Sequence, residues 1–208
     1  MPPDEPESPK IGLREKKKRK TRMTLQQQAL RLFREQGYHA TTIEQIAEAS
    51  EISPSTFFRY FSTKEALVLE DEYDPVLIRA FQGQPPDLNP IQALRAAVSS
   101  GFAMFSQEEK DALRERTDLM LSVPELRAAS LIQMNDSLLL IAEIVADRLE
   151  RPRDDFEVLT FAGAVLGVMM SVQLYCSSNP EADFVATIDE ALAQLEAGFP
   201  FVRHGSVL

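Results

Sequence analysis

Residues 41–67 read TTIEQIAEASEISPSTFFRYFSTKEAL. Their punctuation predicts two short helices joined by a tight turn, with a third helix beginning at Ser62 or Thr63. Thr42 is placed as an N-cap, its hydroxyl able to accept from the unpaired N–H groups of a first turn. Ile43, Ile46, Ala47 and Ser50 recur at helical spacing and give that helix one buried face. The pattern stops at Ser50–Glu51. Ser53 caps the next helix, and Pro54 takes its first position, where a missing N–H costs nothing. Phe57 and Phe61, four apart, suit the core side of this second helix. Ser55, Thr56, Arg59 and Tyr60 fall on its outer face. Lys64 enters the first turn of the third helix, the unfavourable end of the macrodipole for a cation unless an anion is near.

A helix, a turn of about four residues and a short helix with a polar outer face make a helix-turn-helix, whose second helix enters the DNA major groove. In such an interface phosphates supply most of the affinity and base edges the specificity. Thr42 and Lys64 are set to meet backbone phosphates. Ser55 and Thr56, with the Ser53 cap, lie at the end that meets bases first, where hydroxyls discriminate weakly alone. Arg59 suits either a bidentate guanine contact, worth about 1–3 kcal/mol of discrimination, or a phosphate. Tyr60 can give its hydroxyl to a phosphate.

These residues resemble the DNA-binding domain of the TetR family of bacterial transcriptional regulators over about residues 20–70. The resemblance rests on Thr41–Thr42 before Ile46–Ala47, then Ile52–Ser53, Thr56, the run Phe57-Phe58-Arg59-Tyr60-Phe61, and Lys64-Glu65-Ala66-Leu67. It implies the same phosphate roles for Thr42 and Lys64. Two positions depart from the family pattern. Phe58 stands where tyrosine is frequent, and packs on a sugar or a thymine methyl instead. Glu51 stands where glycine is usual; if the turn keeps a left-handed residue there, glutamate costs about 1–2 kcal/mol, so either the turn geometry differs or the domain absorbs the strain.

The remaining 181 of 208 residues fit an all-α chain; nothing reads as a strand. The net charge of −10 argues against nucleic acid, but it is unevenly spread. Residues 10–64 hold twelve Lys/Arg against five Asp/Glu, whereas residues 65–208 hold ten against twenty-four. A basic N-terminal third on an acidic body suits one face presented to a polyanion. Residues 1–13 are predicted to be a disordered leader. The run REKKKRKTR over 14–22 provides Lys16, Lys17, Lys18, Arg19 and Lys20 to neutralise phosphates or to place an arm in the adjacent minor groove. A helix follows over Met23–Gln36, ended by Gly37, so the DNA-binding domain covers 14–67.

Residues 68–200 are predicted to form a larger helical domain for ligand binding and dimerisation, with a tail over 201–208. Helices are expected to about Glu72, from Pro75 to Phe81, Asn89–Pro90 to Phe105, a Ser106/Glu109 capping box to Leu121, Pro124 to Glu150, and from Pro180. Phe156 to Cys176 is nearly uncharged and long enough to span a bilayer, but contains Thr160, Ser171 and Gln173 and is assigned to a buried helix. Its Gly163 and Gly167 allow another helix to approach, within the domain or across a dimer. The lone Cys176 precludes an internal disulfide. No signal peptide is expected, so the protein is placed in the cytoplasm. Both histidines are peripheral, and no HExxH, GxSxG or glycine-rich phosphate loop occurs, so no enzyme, metal, cofactor or membrane partner is expected.

The resemblance implies a homodimer in which the last two long helices of each subunit pack as a four-helix bundle. A two-fold dimer also doubles the contacts on a palindromic operator. It implies a pocket for a small lipophilic ligand that relieves repression. Phe102, Met104, Phe105, Met120, Met134, Phe161, Met169, Met170 and Tyr175 are the soft or aromatic residues suited to line it. An activator without a small-molecule ligand, or a helical protein-interaction adaptor, stays open beside this reading.

Overall fold

The computed structural model describes residues 13–70 and 74–199. Of the expected leader over residues 1–13, only Leu13 is described, as the first residue of a helix; residues 1–12 and the tail with His204 lie outside the described residues. The chain divides into two compact units, residues 1–72 and 73–208. Among the described residues every regular element is a helix.

The first unit comprises α1 (Leu13–Gln36), α2 (Ile43–Ala49), α3 (Pro54–Phe57) and α4 (Ala66–Leu69). Leu25, Phe33, Ile46, Phe57, Phe61 and Leu67 form its buried centre. Gly37 closes α1 at φ +88°, a conformation glycine takes without strain. Two helices differ from the sequence expectation. α1 starts ten residues before Met23, so the basic run is helical and not an extended arm. Lysine and arginine are good helix formers, and the Thr21 and Thr24 hydroxyls bond back to the Lys17 and Lys20 carbonyls. The third helix begins at Ala66, after the Thr63 hydroxyl has accepted the Ala66 N–H at 3.2 Å, and it ends at Leu69. There the Gln26 amide donates to the carbonyls of Leu67 (3.2 Å) and Glu70 (2.9 Å), closing α4 against α1.

The second unit comprises α5 (Asp74–Gln82), α6 (Pro90–Phe102), α7 (Gln107–Ser122), α8 (Pro124–Leu149), α9 (Phe156–Ser178) and α10 (Phe184–Glu196). Reciprocal capping boxes open α6 (Asn89 with Gln92) and α7 (Ser106 with Glu109). The last helix starts at Phe184 and not at Pro180, because Asp183 caps it by accepting the Ala186 N–H at 2.9 Å. α8 packs on α9, α5 on α6, and α10 on both α6 and α9. Phe81, Ala97, Ala146, Val158 and Ala162 form one core cluster. Val98, Phe102, Val172, Ile188 and Leu192 form another. A Cβ on Gly101 would stand 2.7 Å from Leu77 Cδ2, so a side chain there would require the tip of Leu77 on α5 to shift. Arg148 staples the loop after α5 by donating to the carbonyls of Gln84, Pro85 and Leu88.

By length and hydropathy alone, both α8 and α9 are able to cross a membrane. The sequence reading had singled out only the second. One face of each packs into the unit through Ala142, Val145 and Ala146 on α8 and Val158, Val165 and Val172 on α9. Leu131, Ile132 and Leu139 on α8, and Phe156, Leu174 and Tyr175 on α9, remain exposed. A Cβ on Gly167 would meet nothing, and one on Gly163 would make only an ordinary contact with Leu138. Neither glycine is therefore needed for close packing inside the subunit.

α10 is tied to α6 by charge as well as by Ile188 and Leu192. Arg95 Nε lies 2.7 Å from Asp189 Oδ1, and Arg95 Nη1 lies 3.2 Å from Glu196 Oε2. Hydrogen bonding to the Arg95 guanidinium holds the Asp189 carboxyl below the usual carboxylate range. A lowered folded-state value means the pair contributes stability above the unfolded value of about 3.9 and loses it as pH falls through the folded one. The urea midpoint of Asp189→Asn is expected below wild type near neutral pH, with the difference shrinking as pH is lowered towards about 3.

Candidate nucleic-acid interface

The first turn of α2 is set by a capping box. Thr42 Oγ1 accepts the Gln45 N–H at 3.2 Å, and Gln45 Oε1 accepts the Thr42 N–H at 2.9 Å. Gln36 buttresses it, its amide donating to Gln45 Oε1 and to the hydroxyl of the buried Thr41. With its lone pair used by the cap, the Thr42 hydroxyl keeps its proton for an outside acceptor. Gln45 was missed in the sequence, although Thr-x-x-Gln before an apolar run is the signal for this box.

Lys64 arrives at the same place from the other side. It precedes α4 instead of entering its first turn. Its ammonium donates to the carbonyls of Tyr38 (2.9 Å) and Thr41 (3.1 Å) and sits 4.2 Å from the centroid of the Tyr38 ring. Two of its three N–H bonds are so engaged. A cation thus stands beside the residue preceding Thr42, which brings the two predicted phosphate-binding groups together. Tyr38 is held in turn by its hydroxyl donating to Glu65 Oε1 at 3.0 Å.

The link to the recognition element passes through Glu51 at φ +56°. The Ile52 N–H bonds the Ala47 carbonyl, and the Glu51 N–H bonds that of Glu48. That is a Schellman motif with glutamate in the left-handed position where glycine is preferred. The turn geometry therefore stays as in the glycine version, and the residue carries the strain.

α3 itself is one turn. The N–H groups of Arg59 and Tyr60 bond the carbonyls of Thr56 and Phe57, so the helix tightens into i→i+3 bonds before Phe61. Phe57 and Phe61 are fully buried, ring centroids 6.0 Å apart. Over these anchors Ser53 Oγ lies 2.9 Å from Ser55 Oγ and 2.8 Å from Thr56 Oγ1, which gathers three hydroxyls into one cluster. Phe58 is 56% exposed and meets Phe57 edge-on. Ser55 and Arg59 are exposed; Thr56 and Tyr60 are half-buried. On α1, Lys17, Lys18 and Lys20 are exposed and Arg19 is half-buried; the side chain of Lys16 is outside those described.

In the second unit two adjoining clefts, of about 700 and 200 Å³, share Phe102, Lys110, Asp183 and Val185. Of the residues suggested by sequence for a pocket, only Phe102 lines either. Phe105 is core, Phe161 and Met169 pack against the two clusters, Met120, Met134 and Met170 are half-buried, and Met104 and Tyr175 are exposed. Charged residues such as Arg95 and Lys110 rim the clefts instead.

A family model described as bacterial regulatory proteins, tetR family, matches residues 26–70. One described as MftR C-terminal domain matches residues 88–200. The HTH-type transcriptional regulator TcmR of Streptomyces glaucescens is 47% identical over 88 residues, 41% of this chain and only 39% of that protein. MftR of Mycobacterium tuberculosis, named as a mycofactocin biosynthesis transcriptional regulator, is 29% identical over 174 residues, 82% of this chain and 86% of its own length. FadR of Thermus thermophilus, a repressor crystallised with lauroyl-CoA, shares the fold at a TM-score of 0.52 and 23% identity, over 90% of this chain and 98% of its own.

The strained turn gives a direct test. Glu51→Gly is expected to stabilise the protein by about 1 kcal/mol, since glycine takes the left-handed conformation without steric cost. A urea midpoint that stays put or falls would mean that the glutamate side chain repays its strain.

Proposed function

The chain belongs to the TetR family of bacterial transcriptional regulators, and we propose that it acts as a homodimeric repressor, released from a palindromic operator when a small lipophilic ligand binds its second unit. The observation that carries the DNA side is the convergence of the Lys64 ammonium and the Thr42 hydroxyl beside an outward-facing recognition element. In this reading Thr42, Lys64 and Tyr60 take phosphates. Ser55, Thr56 and Phe58 meet base edges and methyl groups, with Ser53 ordering the hydroxyls. Arg59 makes no ion pair among the described residues and reads a guanine. The cations at the start of α1, Lys16 to Lys20, stand at the wrong end of a helix dipole; phosphates relieve that repulsion. Such a protein works in the cytoplasm.

Dimerisation is supported by the large apolar side chains left exposed on α8 and α9, among them Ile132 (80%) and Phe156 (82%). Exposed apolar surface on two long helices suits a protein interaction site. The open side of Gly167 leaves room for a partner helix to approach closely. The ligand reading is supported by the larger cleft, whose volume of about 700 Å³ lies in the range of small-molecule sites. The lauroyl-CoA bound by the T. thermophilus repressor is a lipophilic ligand of the proposed kind.

Three measurements test these assignments. In fluorescence anisotropy on a duplex selected from random DNA, Lys64→Ala is expected to weaken all sequences and lower the salt slope by about one. Arg59→Ala should cost about 1–3 kcal/mol on the selected duplex and little on a scrambled one; equal losses on both would reassign it to a phosphate. Ile132→Glu should convert a dimer to a monomer in sedimentation equilibrium, and a dimer that persists would move the interface off this face. Release of the duplex by long-chain acyl thioesters, but not by their free headgroups, checks the ligand class.

A further inference from the structure

The recognition element is too short to hold its own pose, and one side chain of α1 reaches it. We propose that Arg22 is a positioning residue for DNA reading, which fixes the last turn of the recognition element to the end of α4. Its Nη1 donates to the Tyr60 carbonyl at 2.6 Å and its Nη2 to Glu70 Oε2 at 2.7 Å. The guanidinium carbon lies 4.2 Å from the centroid of the Phe61 ring. The Arg22 side chain is only 15% exposed. It therefore grips a backbone atom of the reading turn, the aromatic anchor beneath that turn, and a carboxylate at the residue from which the chain leaves the first unit's described part.

Three features distinguish this from general packing. First, the backbone bonds of residues 53–61 run to the carbonyls of Ser53, Pro54, Thr56 and Phe57, and none of the described ones is accepted by Tyr60. Arg22 supplies the donor for that carbonyl. Second, the task needs a planar, multi-donor cation. The separate Nη1 and Nη2 donors of the fork reach acceptors on two different elements while the guanidinium carbon stands over the Phe61 ring. Third, Gln26, one helical turn further on, binds only the carbonyls of Leu67 and Glu70. It fastens α4 to α1 as Arg22 does, but touches nothing in the recognition element. The molecule thus contains its own control.

With Arg22 in place, the position of Tyr60 follows that of Glu70. Arg59, the residue that reads a base, and Tyr60, which reaches a phosphate, are held by the same turn. The proposal rests on the DNA-reader assignment for its consequence, while the tether itself can be read without DNA.

The experiment uses the full-length protein with Arg22→Lys, Glu70→Gln and Gln26→Leu. Amide hydrogen exchange is followed by mass spectrometry in peptides covering 53–61 without DNA. Anisotropy is then measured on the selected duplex and its scrambled counterpart across a salt series. For Arg22→Lys, exchange at 58–61 should quicken, and preference for the selected duplex should fall about tenfold, the scale of one charge-assisted hydrogen bond. The salt slope should not change. Glu70→Gln should move both readouts the same way by less. Gln26→Leu should lower the melting temperature and leave both readouts unmoved. Wild-type exchange and preference in Arg22→Lys would overturn the proposal. So would an equal loss on both duplexes with the slope reduced by about one, the mark of a phosphate contact. The same pattern in Gln26→Leu would reduce Arg22 to packing. If wild type prefers neither duplex, the DNA-reader assignment fails, and the exchange data alone still decide the tether.

Discussion

A helix of one turn has no stability of its own, because nucleation fixes several residues for a single hydrogen bond. α3 is such a helix, and every claim about DNA reading depends on how it is held. Phe57 and Phe61 sink its inner face into the core of the first unit. Ser53 caps its start, and its end is finished by tight turns and by a donor from α1. None of these contacts reaches outward. Ser55, Phe58 and Arg59 stay exposed while their backbone is fixed. A reader needs that separation, since a base contact is specific only if the group making it is not free to follow the wrong base.

In the proposed reading the same division of labour serves the approach to phosphate. Thr42 caps α2 and Lys64 braces the Tyr38–Thr41 turn. Each group performs a structural task with part of its hydrogen-bonding capacity, and the proposal assigns the remainder to a ligand. Preorganisation of this kind lowers the ordering cost of binding.

The parts of this arrangement that were legible in the sequence are those written in short-range chemistry. Thr42, Ser53–Pro54, Asn89–Pro90 and Ser106/Glu109 announce helix starts, and the Phe57/Phe61 spacing announces the buried face. Glu51 in place of glycine left two turn geometries open, and its φ of +56° decides for the left-handed one. What was illegible depends on contacts far apart in the chain. Arg22 lies 38 residues from Tyr60, and nothing in REKKKRKTR distinguishes it from its exposed neighbours. The start of α1 was misjudged because charge was taken as a sign of an arm, whereas lysine and arginine propagate a helix readily. The two clefts of the second unit lie apart from most of the soft apolar residues: Phe105 joins the core, Met104 and Tyr175 are exposed, and Lys110 and Asp183 line both clefts.

The helical state of the basic run bears on how any polyanion binds it. Cations crowded into the first turns of α1 repel one another and the helix dipole. Small ions screen that repulsion, so raising salt straightens the segment in the free protein at the same time as it weakens the pull of a polyanion. The two effects oppose each other. The number of ions that seem to be released on binding then undercounts the phosphates touched. Truncating the run before Thr21 would steepen the dependence per remaining contact, although fewer contacts are made.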